Sequence, residues 1–176
     1  MISVFLAGEG STELGGWANR PPYRTATPGM LETLAERVVP EGWVVGDALC
    51  WKNIRKYRAG QHLDVEARNV LGVALQAKDA SCGVLLFCRD RDRDTERERS
   101  IKDALVRARE MFPIEIVGGV AVDAIEAWTL ALLGDRQSHR HARPGELGHS
   151  TTVGFDVDEL ESPSLVEWLR SAKAAL

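Results

Sequence analysis

The chain has 176 residues, 44% of them hydrophobic, with 22 basic and 26 acidic side chains and a formal charge of −4. That length suits one domain spanning 1–176, and that composition builds a core without disulfide or metal staples. The negative balance excludes a uniformly basic nucleic-acid binder, so any grip on phosphate must come from local basic patches.

Cys50, Cys82 and Cys88 form no Cys-x-x-Cys pair, which reads as buried, reduced thiols rather than a disulfide or zinc framework. The opening Met1-Ile-Ser-Val-Phe-Leu-Ala lacks a basic leader and soon meets Glu9, unlike a signal peptide. No apolar run approaches the ~20 residues of a membrane span. These features predict a cytoplasmic protein without membrane contact.

In chain order, Ile2 to Ala7 is a short apolar run ending in Gly8-Glu9-Gly10, a buried strand followed by a tight turn. Pro21-Pro22 and Pro28-Gly29 mark an irregular segment. Met30 to Val39 carries apolar residues at helical spacing and is stopped by Pro40. Trp43 to Trp51 predicts a second strand, and Asp64 to Lys78 a helix with Asp64 as its N-cap. Val84-Leu85-Leu86-Phe87-Cys88 is continuously apolar, as a strand covered on both faces must be. After Arg89 to Asp94, a helix capped by Asp94 or Thr95 runs to Met111, before Phe112-Pro113. Ile114 to Val122 predicts a fourth strand, Asp123 to Leu133 an apolar helix, and Asp135 to Val153 a loop. A last helix, capped by Ser162 or Ser164, reaches Ala175; its Leu165, Val166, Trp168 and Leu169 suit packing on the domain or on another chain. This alternation predicts an α/β fold: a mostly parallel, Rossmann-like four-stranded sheet flanked by helices. Chemistry in such sheets gathers at the carboxyl ends of the strands.

Three acidic motifs lie at those ends. In Glu9-Gly10-Ser11-Thr12-Glu13, Gly10 permits a sharp turn, and Glu13 follows Glu9 by one helical turn, so both carboxylates can share a hard cation. The structural alternative is a helix start with Ser11 or Thr12 as N-cap and Glu13 favouring the dipole. In Asp90-Arg91-Asp92, alternate residues of an extended chain face one way, and paired carboxylates suit Mg²⁺ or Mn²⁺. The alternative there is a solvated charge run, because Arg89 to Arg99 is nearly all charged. Asp123-Ala124-Ile125-Glu126 has the form of a capping box, and its position after a strand offers Glu126 as a further ligand.

A strand followed by Glu-Gly-x-Thr-Glu, with a later strand ending in Asp-x-Asp, resembles the Toprim domain of topoisomerases, primases and several nucleases. Thr12-Glu13 is similar to the nuclease branch, including the overcoming-lysogenization-defect nucleases. Glu126-Ala-Trp-x-Leu-Ala resembles small stand-alone Toprim-like proteins of bacterial defence loci, often found beside an ATPase. The resemblance covers Ile2 to Leu133. It implies catalytic roles for Glu9, Asp90 and Asp92, and metal ligation by these three with Glu13 and Glu126. It departs from the motif in the arginines Arg91 and Arg93 that interleave the acids.

Phosphodiester hydrolysis also needs a positive surface. Lys52, Arg55, Lys56 and Arg58 form a basic run beside Trp51 and Tyr57, and Arg91 offers another phosphate contact. Arg136 to Arg143, with His139 and His141, is a second basic run; one His-x-His pair alone does not make a zinc site. A phosphate-loop reading of Gly8 to Gly16 fails, since it lacks Gly-Lys-Ser/Thr and carries acids instead. The expected activity is a Mg²⁺- or Mn²⁺-dependent nuclease acting on DNA or RNA in antiphage defence. The alternative is a non-catalytic Toprim-like subunit of an ATPase-containing defence complex. A homodimer is the other expected assembly.

Overall fold

The computed structural model describes residues 1–58, 62–122, 128, 160 and 162–176. Its sheet begins with β1 (Ile2–Gly8), continues with β2 (Trp43–Cys50), β3 (Val84–Asp90) and β4 (Glu115–Ala121), and has the order β2-β1-β3-β4. Every pairing is parallel. The described helices are α1 (Ser11–Leu14), α2 (Met30–Val38), α3 (Val65–Asp79), α4 (Thr95–Met111) and α5 (Pro163–Ala175). The architecture is therefore the α/β sheet that the alternation of apolar runs predicts. The predicted helix from Asp123 to Leu133 and the loop after it lie outside the described residues, apart from Trp128.

Strand alternation divides the core into two layers. Val4 and Leu6 of β1 and Val84, Leu86 and Cys88 of β3 face α2 and α5. Phe5 and Ala7, with Leu85 and Phe87, face α3 and α4. Because β1 and β3 are covered on both faces, they are continuously apolar. The apolar stripe of α5 is spent on its own domain: Leu165, Trp168, Leu169 and Ala172 are all buried. Trp168 Nε1 donates to the Phe87 carbonyl at 3.0 Å, tying α5 to β3. Trp128 packs on Trp168 and donates from Nε1 to Ser164 Oγ at 3.0 Å. All three cysteines are free and buried.

Local chemistry sets most boundaries. Asp64 caps α3 by accepting from Ala67 N–H at 2.8 Å, and Asp94 caps α4 by accepting from Arg97 N–H at 3.0 Å. Val39 ends α2 in an extended conformation just before Pro40. Two of the shifts in predicted ends bear on the site. β2 stops at Cys50, because Trp51 opens a short 3-10 turn. β3 runs past the apolar residues to Asp90, whose pairing with Ala121 of β4 extends the ladder into the charged run.

No described helix is long and apolar enough to cross a membrane.

Candidate functional site

The sheet order places a topological switch point between β1 and β3. From β1 the chain moves outward to β2 with α2 on one face, then crosses back over β1 with α3 on the other. Ligand crevices in open α/β sheets form at the carboxyl ends of the strands at such a point. Glu9 leaves the end of β1 and Asp90 ends β3, one on each side of it. The Asp90 N–H donates to Glu9 Oε1 at 3.2 Å, so the two motifs meet directly.

Glu13 is set by Gly8 and Gly10. Gly10 is extended and acts as the N-cap of α1 in place of the expected Ser11 or Thr12, and its N–H donates to Glu13 Oε2 at 2.8 Å. Half of a capping box thus forms without a side chain at the cap. Glu13 is buried and lies across Gly8, where an added Cβ would stand 2.5 Å from Glu13 Cβ. Burial pushes the Cys88 thiol well above its ordinary pKa, and the negative charges of Asp90, Glu13 and Glu9 push it further. All three carboxylates therefore act on one buried atom at the end of β3. Strand alternation puts Asp90 on the same face as Cys88.

Asp92 does not extend that row. The chain leaves the strand after Asp90, and both Asp92 and Arg93 take left-handed backbone angles, with φ of 51° and 64°. Alternation applies only to an extended chain, so the expected alignment of Asp90 with Asp92 is lost. Arg97 holds the turn instead. Its Nη1 donates to the Asp90 carbonyl at 3.0 Å, to the Arg91 carbonyl at 3.3 Å and to Asp92 Oδ2 at 2.6 Å. Burial works against the Arg97 charge, but its bond to Asp92 and the charge of Glu66 hold it above the ordinary arginine range. Glu126 lies outside the described residues.

On the α3 and α4 face the site is an ion-pair ladder that sequence reasoning missed. Arg89 of β3 pairs with Glu9 Oε1 and reaches Glu66 Oε1 at 3.7 Å. Arg97 Nε donates to the same Glu66 oxygen at 3.1 Å. The Arg89 guanidinium also lies over the Trp51 ring, 5.7 Å from its centroid. The available signal for Glu66 was modest: an acid in the first turn of a helix that starts at the carboxyl edge of the sheet. Arg91, expected to meet phosphate, pairs with Glu98 at 3.6 Å.

The other basic residues behave differently. Gly72 of α3 lets the backbone of the Ile54–Arg58 segment approach closely; a Cβ there would stand 2.3 Å from the Arg55 carbonyl oxygen. Tyr57 N–H donates to the Arg68 carbonyl at 3.0 Å, and its ring meets Phe112 edge-on. With the segment so anchored, Lys52, Arg55, Lys56 and Arg58 are all exposed. They leave the sheet at the same edge as Glu9, one residue beyond the Trp51 that lies under Arg89. The second basic run, Arg136 to Arg143, lies outside the described residues.

Glu9, Glu13 and Asp90 offer oxygen donors of the kind hard divalent ions take. Of these only Glu9 and Asp90 meet directly, through the Asp90 N–H, and Asp92 is diverted to Arg97. Among the described residues no three His, Cys, Asp or Glu side chains are gathered closely enough to hold a metal. The charge facing Glu9 is instead the Arg89 guanidinium. No family model, curated protein or solved structure matches this chain.

Proposed function

We propose that this protein is a divalent-metal-dependent nuclease of the Toprim type, hydrolysing phosphodiester bonds of DNA or RNA in antiphage defence. The observation that carries the reading is the junction of Glu9 with Asp90 across neighbouring parallel strands at the switch point. Glu9 and Asp90, which meet at the switch point, would be the carboxylates offered to Mg²⁺ or Mn²⁺. A bound divalent ion supplies Lewis acidity toward a phosphoryl oxygen and a stronger nucleophile from water. Glu9 is the group able to take a proton there, since it remains one-third exposed while Glu13 is buried against Gly8. Lys52, Arg55, Lys56 and Arg58 present exposed charge to the backbone of the substrate, and their tethering to α3 keeps the strip at the edge where Glu9 lies.

One observation favours a second reading. A Glu9 carboxylate neutralised by Arg89 also suits a non-catalytic, Toprim-like subunit that docks on an ATPase or on a second copy of itself. Incubating plasmid DNA and tRNA with the protein and Mn²⁺ separates the two. The nuclease reading expects cleavage that requires Mn²⁺ and falls at least about a hundredfold in Asp90→Asn, as loss of an essential charged group does. Absence of cleavage on both substrates, or cleavage that Asp90→Asn leaves unchanged, overturns it. If phage protection in cells survives the Glu9→Ala, Asp90→Ala double variant, the subunit reading stands.

A further inference from the structure

The irregular segment between the 3-10 turn Gly15–Ala18 and α2 is firmly held. Gly16 N–H donates to the Thr27 carbonyl at 2.8 Å, and a Cβ on Gly16 would stand 2.2 Å from the Thr25 carbonyl oxygen, so the two ends of the segment are pressed together. Arg24 clamps its middle. Both Nη atoms donate to Asp47 Oδ1 at 3.1 Å, Nη2 donates to the Ala48 carbonyl at 3.2 Å, and the guanidinium lies over the Trp17 ring, 4.8 Å from its centroid. The preceding residue, Tyr23, donates its N–H to the Arg20 carbonyl at 2.8 Å in a tight turn. Its side chain nevertheless stands 78% exposed, the only exposed Phe, Tyr or Trp among the described residues.

A single exposed ring is ordinary; its electrostatic setting is not. The two longest stretches of the chain without an acidic residue run from Leu14 to Leu31 and from Ala48 to Leu63. Both are anchored at the carboxyl half of β2, an edge strand of the sheet. The first is held there by Arg24 and by Cys50 Sγ, which donates to the Ala18 carbonyl at 3.6 Å, and the second continues directly from the strand. Exposed Arg20 and Tyr23 thus share one corner of the molecule with exposed Lys52, Arg55, Lys56 and Arg58. Asp47 is matched there by Arg24, and Glu32 accepts a hydrogen bond from the Trp17 side chain.

We propose that this corner binds single-stranded nucleic acid, with Tyr23 as the stacking platform for an unpaired base and with Arg20 and the Lys52–Arg58 run holding the phosphates around it. The proposal rests on the nucleic-acid reading above and narrows the substrate to an unpaired strand. A duplex keeps its bases stacked on one another and offers this ring no free face, whereas a single strand offers one at each nucleotide. Stacking costs little ordering here, because the backbone on both sides of Tyr23 is already fixed. β2 pairs with β1, whose end carries Glu9, so a strand held at this corner lies beside the junction of Glu9 with Asp90.

The test is fluorescence anisotropy with a labelled single-stranded oligothymidylate and a labelled blunt duplex of the same length, in EDTA so that binding is read apart from cleavage. Wild type, Tyr23→Ala, Tyr23→Phe and Arg20→Gln are compared. Tyr23→Ala should bind the single strand about fivefold to a hundredfold more weakly and leave duplex binding unchanged, while Tyr23→Phe, which keeps the ring, should match wild type. Arg20→Gln should flatten the salt dependence of single-strand binding by ~0.7. Because Tyr23 and Arg20 are exposed, the melting temperatures should hold. Single-strand binding that Tyr23→Ala leaves unchanged, an equal loss on strand and duplex, or a loss in Tyr23→Phe as large as in Tyr23→Ala overturns the proposal and leaves the nucleic-acid reading standing. If Tyr23→Ala alters only the sedimentation of the protein alone, the ring serves a protein contact and the proposal fails. Absence of wild-type binding to both oligonucleotides at low salt overturns the proposal and the nucleic-acid reading together.

Discussion

Replacing Gly8 by alanine should move the site without touching any charged group. The added Cβ would meet Glu13 Cβ at 2.5 Å and Glu13 Cγ at 3.0 Å. Neither atom is the free end of a flexible side chain, so α1 must retreat from β1. Overpacking of this kind costs about 1–3 kcal/mol. The retreat also stretches the 2.8 Å bond from Gly10 N–H to Glu13 Oε2, a contact to a charged acceptor worth a further ~1 kcal/mol or more. For a chain of this size each kcal/mol lowers the melting temperature by about 2–4 °C, so Gly8→Ala should melt roughly 4–16 °C below wild type. Thermal unfolding followed by circular dichroism measures it. The contact is made by the Glu13 Cβ itself, so Glu13→Ala should not rescue Gly8→Ala. Glu13→Gly should, and the cost of Gly8→Ala in that background should shrink by about 1 kcal/mol or more. An equal cost in the Glu13→Ala and Glu13→Gly backgrounds would refute the account of why Gly8 lacks a side chain.

Asp64→Ala should remove the α3 cap and lower stability by about 0.5–2 kcal/mol in chemical denaturation. Burial works against the Asp64 charge, but hydrogen bonds from Ala67, Ser100 and Glu66, with the charge of Arg68, hold its carboxyl below the usual range. Its stabilisation is therefore complete above the unfolded-state pKa and fades as pH falls through the lower folded value, so wild type should lose stability on acidification that Asp64→Ala has already lost. Neutralising Lys52, Arg55, Lys56 and Arg58 to glutamine should flatten the salt dependence of nucleic-acid binding by up to ~0.9 per lost phosphate contact. Since all four side chains are exposed, the melting temperature should hold; unchanged binding at every salt concentration would make the run a solvated surface. Trp168→Phe should cost about 1–3 kcal/mol by removing the indole bond to the Phe87 carbonyl and leaving a void in the core, visible as a lower urea midpoint with an unchanged slope.

The strands and caps were legible because their causes are local. Val84 to Cys88 is apolar at every position since both faces of β3 are covered, and Asp64 and Asp94 stand where helices need an acceptor. The adjacency of Glu9 and Asp90 was legible through the rule that chemistry gathers at carboxyl ends, although the strand order itself was not. What escaped was pairing between distant residues. Arg89 meets a carboxylate 80 positions away, and nothing in either neighbourhood announces the other. Asp92 escaped for another reason: alternation was carried one residue pair beyond the strand, while the fate of the turn depended on Arg97 in the next helix.

The run from Arg89 to Asp94 looks self-neutralising when written as letters, and in three dimensions it is not. Arg89 is matched by Glu9 and Glu66, and Arg91 by Glu98. Asp92 is matched by Arg97, and Asp94 by a helix N-terminus. Each partner comes from outside the run, and they come from β1, α3 and α4. Arg89 and Arg91 therefore tie the acidic edge to the helices around it. Glu66 joins Arg89 to Arg97, so the ion pair at Glu9 and the left-handed turn at Asp92 and Arg93 lie on one chain of contacts. A strained turn persists only while its surroundings over-determine it, and the four Arg97 contacts supply that determination. The charge at the end of β1 and the backbone after β3 are thus joined by side chains from outside the run, which is why the run cannot be read from its own letters.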